Sequence, residues 1–281
     1  MCEFCLKHGE GKKWYLQASN YSDDLLSDVR RRRFVEDFFS DTASIEKGVK
    51  DLEQLKKAPA LIKSAYAKII TRRMKKSHFG QIVPIEDIER IFEFVNSIVR
   101  VACICRHVII GQEKRYCYGV SLEPNGGKLG EIVSGLDNSF INGPDTAGME
   151  TLTKEQALSA IRDHEKEGLC HSVWTFGTPF IGGICNCDRA DCMAMRCTVT
   201  HKIPIMFRAE YIAEVDPDEC TGCQQCTRLC QFDAIDYSAS DKKAVIDQKQ
   251  CYGCGICRSV CPKDAIALKP RNTVPAVANL W

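Results

Sequence analysis

Cysteine spacing near the C-terminus constrains this chain more than any other feature. Four cysteines are separated by two, two and three residues, and the same spacing returns 31 residues later. Three thiolates so placed on a tight loop can reach three metal atoms of one cluster, while the fourth lies on a short helical turn and crosses to the other half. The repeat therefore predicts a domain of two interlocked halves, residues 213–268. Its cysteines are Cys220, Cys223, Cys226, Cys230, Cys251, Cys254, Cys257 and Cys261.

This spacing resembles that of the bacterial two-cluster ferredoxins, whose domain binds two [4Fe–4S] clusters. Pro262 follows the last cysteine, whereas Gln231 stands at the matching place in the first half, so we expect a changed potential or exposure there and no lost ligand. Two zinc sites of four cysteines each are the alternative, although zinc sites rarely interlock in this way. The resemblance implies Cys220, Cys223, Cys226 and Cys261 as ligands of the first cluster, and Cys251, Cys254, Cys257 and Cys230 as ligands of the second.

The cysteine content also bears on where the protein works. The chain has 281 residues and 18 cysteines, and a secreted disulfide scaffold is the usual alternative for such a count. No apolar stretch follows the lysines near the N-terminus, and acidic residues interrupt the segment after the arginines at positions 30–33, so no export signal is expected. The chain contains no run of about 18 uncharged apolar residues, so no membrane span is expected. We therefore expect a cytoplasmic protein, and the net charge of +1 does not favour nucleic acid as a partner.

Residues 101–212 contain a second group of cysteines at metal-ligand spacings. A Cys-x-Cys pair cannot complete a site alone, because a cubane or a zinc ion needs four ligands, so the members of this group have to meet in space. Six ligands exceed one [4Fe–4S] cluster and fall short of two, so Cys170 or Cys197 can complete a second. The candidates are Cys103, Cys105, Cys117, Cys185, Cys187 and Cys192.

Two blocks in this region resemble multi-cluster ferredoxin-like iron–sulfur proteins of anaerobes. The blocks are Cys103-Ile104-Cys105-Arg106 and Ile184-Cys185-Asn186-Cys187. The resemblance implies one or two further iron–sulfur clusters besides the two [4Fe–4S] clusters of the ferredoxin part. The chain departs from the pattern, since Asp188, Ala190 and Asp191 stand where such proteins often have more cysteines. Zinc within residues 1–212 and buried structural thiols are the alternatives.

A smaller cysteine pair lies at the N-terminus. Cys2 and Cys5 are followed by His8, and two cysteines with a histidine at this spacing can form part of a metal site. At least one ligand is missing locally, and a cysteine from residues 101–212 can supply it. Stray thiols on a mobile terminus are the alternative.

The fold class that we predict is α+β, with a C-terminal ferredoxin-like domain for two [4Fe–4S] clusters and a largely helical, cysteine-rich N-terminal region. Apolar residues recur at helical spacing from Ile85 to Val99, which predicts one amphipathic helix that leads to Cys103. The expected regions are a helical region with the N-terminal CxxC (1–100), a cysteine-rich metal-binding region (101–212), the two-cluster domain (213–268) and an extended tail (269–281).

The predicted clusters indicate electron transfer, and the sequence indicates no particular substrate or catalysed reaction. We expect a one-electron relay between a low-potential donor and a redox enzyme in the cytoplasm of an anaerobe, with a multi-subunit oxidoreductase as partner. No catalytic residue is assigned. The alternative is a cluster- or flavin-dependent reductase with its active site in residues 101–212. A third hypothesis is a binding module, in which zinc is structural and residues 20–100 dock a partner.

Overall fold

A computed structural model describes residues 13–136 and 148–280 of the chain. Its N-terminal part is helical, as the sequence predicts. Asp28 and Asp41 begin two of the helices, because their carboxylates accept hydrogen bonds from backbone amides that the first helical turn leaves free. Three short 3₁₀ turns (Trp14–Leu16, Ala18–Tyr21 and Asp23–Ser27) are followed by helices α1 (Val29–Ser40), α2 (Thr42–Leu55) and α3 (Ala60–Ser77).

A seven-stranded sheet forms the centre of the molecule. Its strand order is β4-β2-β3-β6-β5-β1-β7, and its pairs are antiparallel apart from β1 with β7. Residue 100, the expected boundary between two regions, lies within β2, so both regions contribute strands to one sheet. The strands are β1 (Gly80–Ile82), β2 (Ser97–Val101), β3 (Cys117–Ser121), β4 (Glu150–Leu152), β5 (Cys170–Thr175), β6 (Ile181–Cys187) and β7 (Met206–Phe207).

The helices that accompany the sheet correct one prediction. The apolar pattern from Ile85 to Val99 is not one helix, because the helix ends at Phe94 and Val99 lies in β2. The helix packs Ile88 and Ile91 into a core on one face of the sheet, while the cysteines share a second core on the other face. The helices are α4 (Ile85–Phe94), α5 (Ile104–Ile110), α6 (Gly127–Ser134), α7 (Lys154–Lys166) and α8 (Met193–Met195), which runs into a π turn at Arg196–Thr200.

The C-terminal repeat forms two small antiparallel strand pairs with a short helix in each half. Strand β8 pairs with β11 and β9 pairs with β10. The residues after β11 do not form an extended tail as expected: a 3₁₀ turn at Arg271–Thr273 follows, and Val277 is buried. The elements are β8 (Tyr211–Val215), α9 (Gln225–Leu229), β9 (Ile235–Ser238), β10 (Lys243–Ile246), α10 (Ile256–Ser259) and β11 (Ile266–Pro270).

Within residues 13–136 and 148–280, no helix combines the length and the hydropathy that crossing a membrane requires.

Candidate iron–sulfur centres

The structure brings the first predicted ligand set together around one small cavity. Cys220, Cys223, Cys226 and Cys261 line it, although Cys261 comes from the other half of the repeat. Cys226 is buried and Cys223 is exposed to solvent. This set, the first quartet, therefore lies at the protein surface.

The second predicted ligand set lines a separate cavity. Its members are Cys230, Cys251, Cys254 and Cys257, of which Cys230 comes from the first half. Cys251 and Cys257 are buried, and burial raises the pKa of the Cys251 thiol to about 11. This set, the second quartet, is therefore more enclosed than the first.

Backbone amides donate hydrogen bonds to the cysteine sulfurs at matching places of the repeat. The amides of Ala234 and Ala265 lie 3.3 and 3.2 Å from the sulfurs of Cys230 and Cys261. Such bonds stabilise thiolate sulfur and help to set the potential of a bound cluster. The two quartets thus fit [4Fe–4S] clusters in ligand type, in number and in their hydrogen-bond donors.

Glycines allow the backbone to approach closely beside each quartet. Gly222 and Gly253 occupy equivalent places and both have φ of +69°. A Cβ atom at Gly253 would lie 2.1 Å from the carbonyl oxygen of Tyr211, and one at Gly222 would lie 2.2 Å from that of Lys242. Only glycine fits both the left-handed conformation and the contact.

Replacing Gly253 with alanine is expected to lower the free energy of unfolding by about 3 kcal/mol, because left-handed strain and a backbone clash add. Gly111 is the matched control, since it has φ of +63° and a Cβ atom added there would meet no atom within 4 Å. Gly111→Ala should cost only about 1 kcal/mol. Anaerobic urea unfolding measures both variants, and equal losses would contradict the role given to the clash.

The six cysteines of residues 101–212 also converge, on one face of the central sheet. Cys117 of β3 pairs across with Cys185 of β6, and Cys187 lies two residues further along the same strand and hence on the same face. Loops and a helix start bring the others to the same place. Together Cys103, Cys105, Cys117, Cys185, Cys187 and Cys192 line one cavity of about 280 Å³.

Contacts and strand pairing divide these six cysteines into two groups of three. The sulfurs of Cys103 and Cys117 lie 3.1 Å apart, and Cys185 is the cross-strand partner of Cys117. Cys192 accepts hydrogen bonds from Cys105 and Cys187, which lower its pKa well below the usual value. We call Cys103, Cys117 and Cys185 the first triad, and Cys105, Cys187 and Cys192 the second.

Comparison with known protein families decides the nature of the C-terminal region. Residues 213–268 match the family model of the 4Fe-4S dicluster domain. These residues form a ferredoxin-like 4Fe–4S domain. The match supports [4Fe–4S] binding and iron–sulfur electron transfer by this domain. No curated protein matches the chain.

Gln231 fastens the ferredoxin-like domain to the rest of the chain. Its amide oxygen accepts from the Arg189 backbone amide at 2.9 Å, and its amide nitrogen donates to the Gly168 carbonyl at 3.0 Å. Proline has no side-chain donor or acceptor for these bonds. The departure from the second half of the repeat, where Pro262 stands, therefore coincides with a docking contact.

Cys170 lies between the six cysteines and the ferredoxin-like domain. On β5 it is the direct partner of Cys187, and its side chain is fully buried. Its thiol donates a hydrogen bond to the sulfur of Cys254, which raises the pKa of Cys170 and lowers that of Cys254. Cys170 therefore lies between Cys187 and the second quartet, and its predicted part in a second cluster stays a prediction.

A buried arginine accompanies the first triad. The Arg106 guanidinium is only 2% exposed and hydrogen-bonds the Cys103 sulfur at 3.7 Å and the Asn186 carbonyl at 3.1 Å. It also pairs with Asp188. Burial opposes its charge, but the charges of Cys103, Cys187 and Asp188 raise the pKa of Arg106. The site thus holds a cation where bound thiolates bring negative charge.

The remaining candidates lie elsewhere. Cys197 is buried and does not line the cavity of the six cysteines, and burial raises its pKa to about 12. Cys2 and Cys5 fall outside the described residues, so their predicted metal site stays a prediction. Across residues 13–136 and 148–280, no group of three or more His, Cys, Asp or Glu side chains has the geometry of a site for a single metal ion.

Proposed function

We propose that the chain is an electron relay with three iron–sulfur centres. The two quartets hold one [4Fe–4S] cluster each, and the six cysteines hold the third centre. The main support is a row of cysteines on one face of the sheet. The row leads from Cys117 through Cys185 and Cys187 to Cys170, and Cys170 is next to Cys254. This row joins the six cysteines to the second quartet.

The exposure of the cysteines supports an order for the relay. Three of the six cysteines are buried and three are partly exposed, and Cys170 at the next step is fully buried. Cys223 of the first quartet is exposed. Electrons therefore exchange with a partner protein at the first quartet and reach the third centre through the second quartet. A redox enzyme complex that uses a low-potential donor suits such a carrier.

Anaerobic purification followed by iron, sulfide and zinc analysis tests the proposal. We expect acid-labile sulfide in about equal amount to iron, and reversible reduction of all three centres by dithionite in an EPR titration. Bound zinc with almost no sulfide would contradict it. Turnover of a small substrate by the isolated chain with a chemical reductant would instead favour the reductase alternative, with its active site in residues 101–212.

Cys170→Ala is expected to slow electron transfer between the third centre and the second quartet several-fold. The substitution removes the sulfur that lies between Cys187 and Cys254. It also removes a hydrogen bond to Cys254, and the loss of this bond should lower the reduction potential of the second cluster. Freeze-quench EPR after rapid mixing with reductant measures the rate.

Cys197→Ala is the matched control for this experiment, because Cys197 is a buried thiol outside the row. Its transfer rate and potentials should equal those of the unmodified protein. Unchanged transfer in Cys170→Ala, with all clusters retained, would exclude the proposed path.

A further inference from the structure

The six cysteines pose a problem of number. One [4Fe–4S] cluster takes four terminal thiolates, and two separate clusters take eight. Two four-iron units that share one bridging sulfide take six, because each unit gives one iron to the bridge and three irons to cysteines. The count of thiols at this site is the count that such a linked centre needs.

The two triads give each unit its three ligands. In the first triad, the sulfurs of Cys103 and Cys117 are in contact at 3.1 Å, and Cys117 pairs with Cys185 across the strands. The other three cysteines, Cys105, Cys187 and Cys192, line the same cavity, and Cys105 and Cys187 both act on the pKa of Cys192. The triads are neighbours, since the cysteines of both line the same cavity. This arrangement is three plus three, and it is not four plus two.

The sequence produces this division in a regular way. Cys103 and Cys105 of one Cys-x-Cys pair go to different triads, and so do Cys185 and Cys187 of the other. Each triad is completed by one isolated cysteine, Cys117 or Cys192. The two half-sites are therefore built from equivalent parts.

The cavity at the six cysteines is larger than the cavity at either quartet, so a larger centre has room there. The cavity measures about 280 Å³, compared with about 20 Å³ at each quartet of the ferredoxin-like domain. Arg106 is compatible with an anionic occupant, because its Nε atom is buried and has no hydrogen-bond partner within the described residues, as is also true of Arg115 and Arg258. An acceptor such as a cluster sulfide would satisfy it.

We propose that the six cysteines bind one eight-iron centre, made of two four-iron units that share a bridging sulfide, with one triad on each unit. The inference rests on the proposed function, which requires only that some iron–sulfur centre be present there. It differs from one cubane with two spare thiols, from two independent clusters of three cysteines each, and from structural zinc.

Iron counting in single variants separates these cases. The unmodified chain should contain about sixteen irons, of which eight belong to the ferredoxin-like domain. Cys117→Ser removes a ligand of the first triad and Cys192→Ser one of the second. Each should lose about eight irons, since a linked centre is lost as a whole. Cys197→Ser is the control and should lose none.

Each other result has a definite meaning. Loss of about four irons in each variant indicates independent clusters and overturns the proposal while leaving the relay intact. A total of about twelve irons in the unmodified chain indicates one cubane and also overturns it. A total of about eight with bound zinc overturns both the proposal and the third centre of the relay.

Native mass spectrometry of the unmodified holoprotein keeps the test valid if a variant fails to fold. The mass should correspond to two cubanes plus one unit of eight irons that is gained and lost in a single step. Stepwise loss of two four-iron units from this site would contradict the proposal. Mössbauer spectra of ⁵⁷Fe-labelled protein should agree with the same count.

Discussion

Cys261→Ser is expected to remove the first cluster of the ferredoxin-like domain, although Cys261 lies in the second half of the repeat. The chain should lose about four irons and keep the second cluster. The reason is geometric, since Cys261 shares a cavity with Cys220, Cys223 and Cys226. Iron analysis and EPR of the anaerobic protein measure the loss. Cys230→Ser should remove the second cluster in the same way.

Double variants show which cysteines share a cluster. Cys223→Ser combined with Cys261→Ser should lose no more iron than either change alone, because both act on one cluster. Cys251→Ser combined with Cys261→Ser should lose about eight irons, because the two changes act on different clusters. The opposite outcome would assign each half of the repeat its own cluster.

Arg106→Gln is expected to lower the reduction potential of the third centre by an amount on the order of 100 mV. A buried cation beside a cluster stabilises its reduced, more negative state, and a unit charge a few ångströms away contributes several kcal/mol at a dielectric constant of about 20. Removing the charge therefore makes reduction harder. An EPR-monitored redox titration measures the shift, and the potentials of the two quartet clusters should stay constant.

Arg106→Lys is the companion variant, because it keeps the charge but loses the planar fork that bonds Cys103, Asn186 and Asp188. The reduction potential in this variant should stay close to that of the unmodified protein. An equal shift in both variants would mean that Arg106 acts through its hydrogen bonds and packing alone.

The sequence predicts the two quartets because their ligands follow a local pattern. The meeting of Cys117 with Cys185 depends on a strand pair formed by residues far apart in the chain, which spacing alone does not contain. The position of Cys170 beside Cys254 depends in the same way on its strand register with Cys187 and on the docking of the ferredoxin-like domain. Strand alternation in residues 170–175 and 181–187 is the signal that relates these cysteines, once the pairing is known.

Secondary structure shows the same limit from another side. Val95 and Val99 continue the helical spacing of Ile85, yet Val99 lies in β2, where β-branched residues pack well. Apolar periodicity records which residues are buried and does not record where a helix stops. The extended tail expected for residues 269–281 differs from the structure for a related reason. Val277 is buried there, and its burial depends on surfaces that distant parts of the chain supply.

The hydrogen bonds of Gln231 have a consequence for kinetics. A ferredoxin-like domain held at Arg189 and Gly168 does not swing on a linker between internal and external positions. In the proposed relay, the distance from Cys170 to Cys254 is then constant, and we expect internal transfer to be independent of solvent viscosity. Only the encounter of a partner with the exposed face at Cys223 depends on diffusion, so raising the viscosity slows delivery to the partner and leaves equilibration among the clusters unchanged.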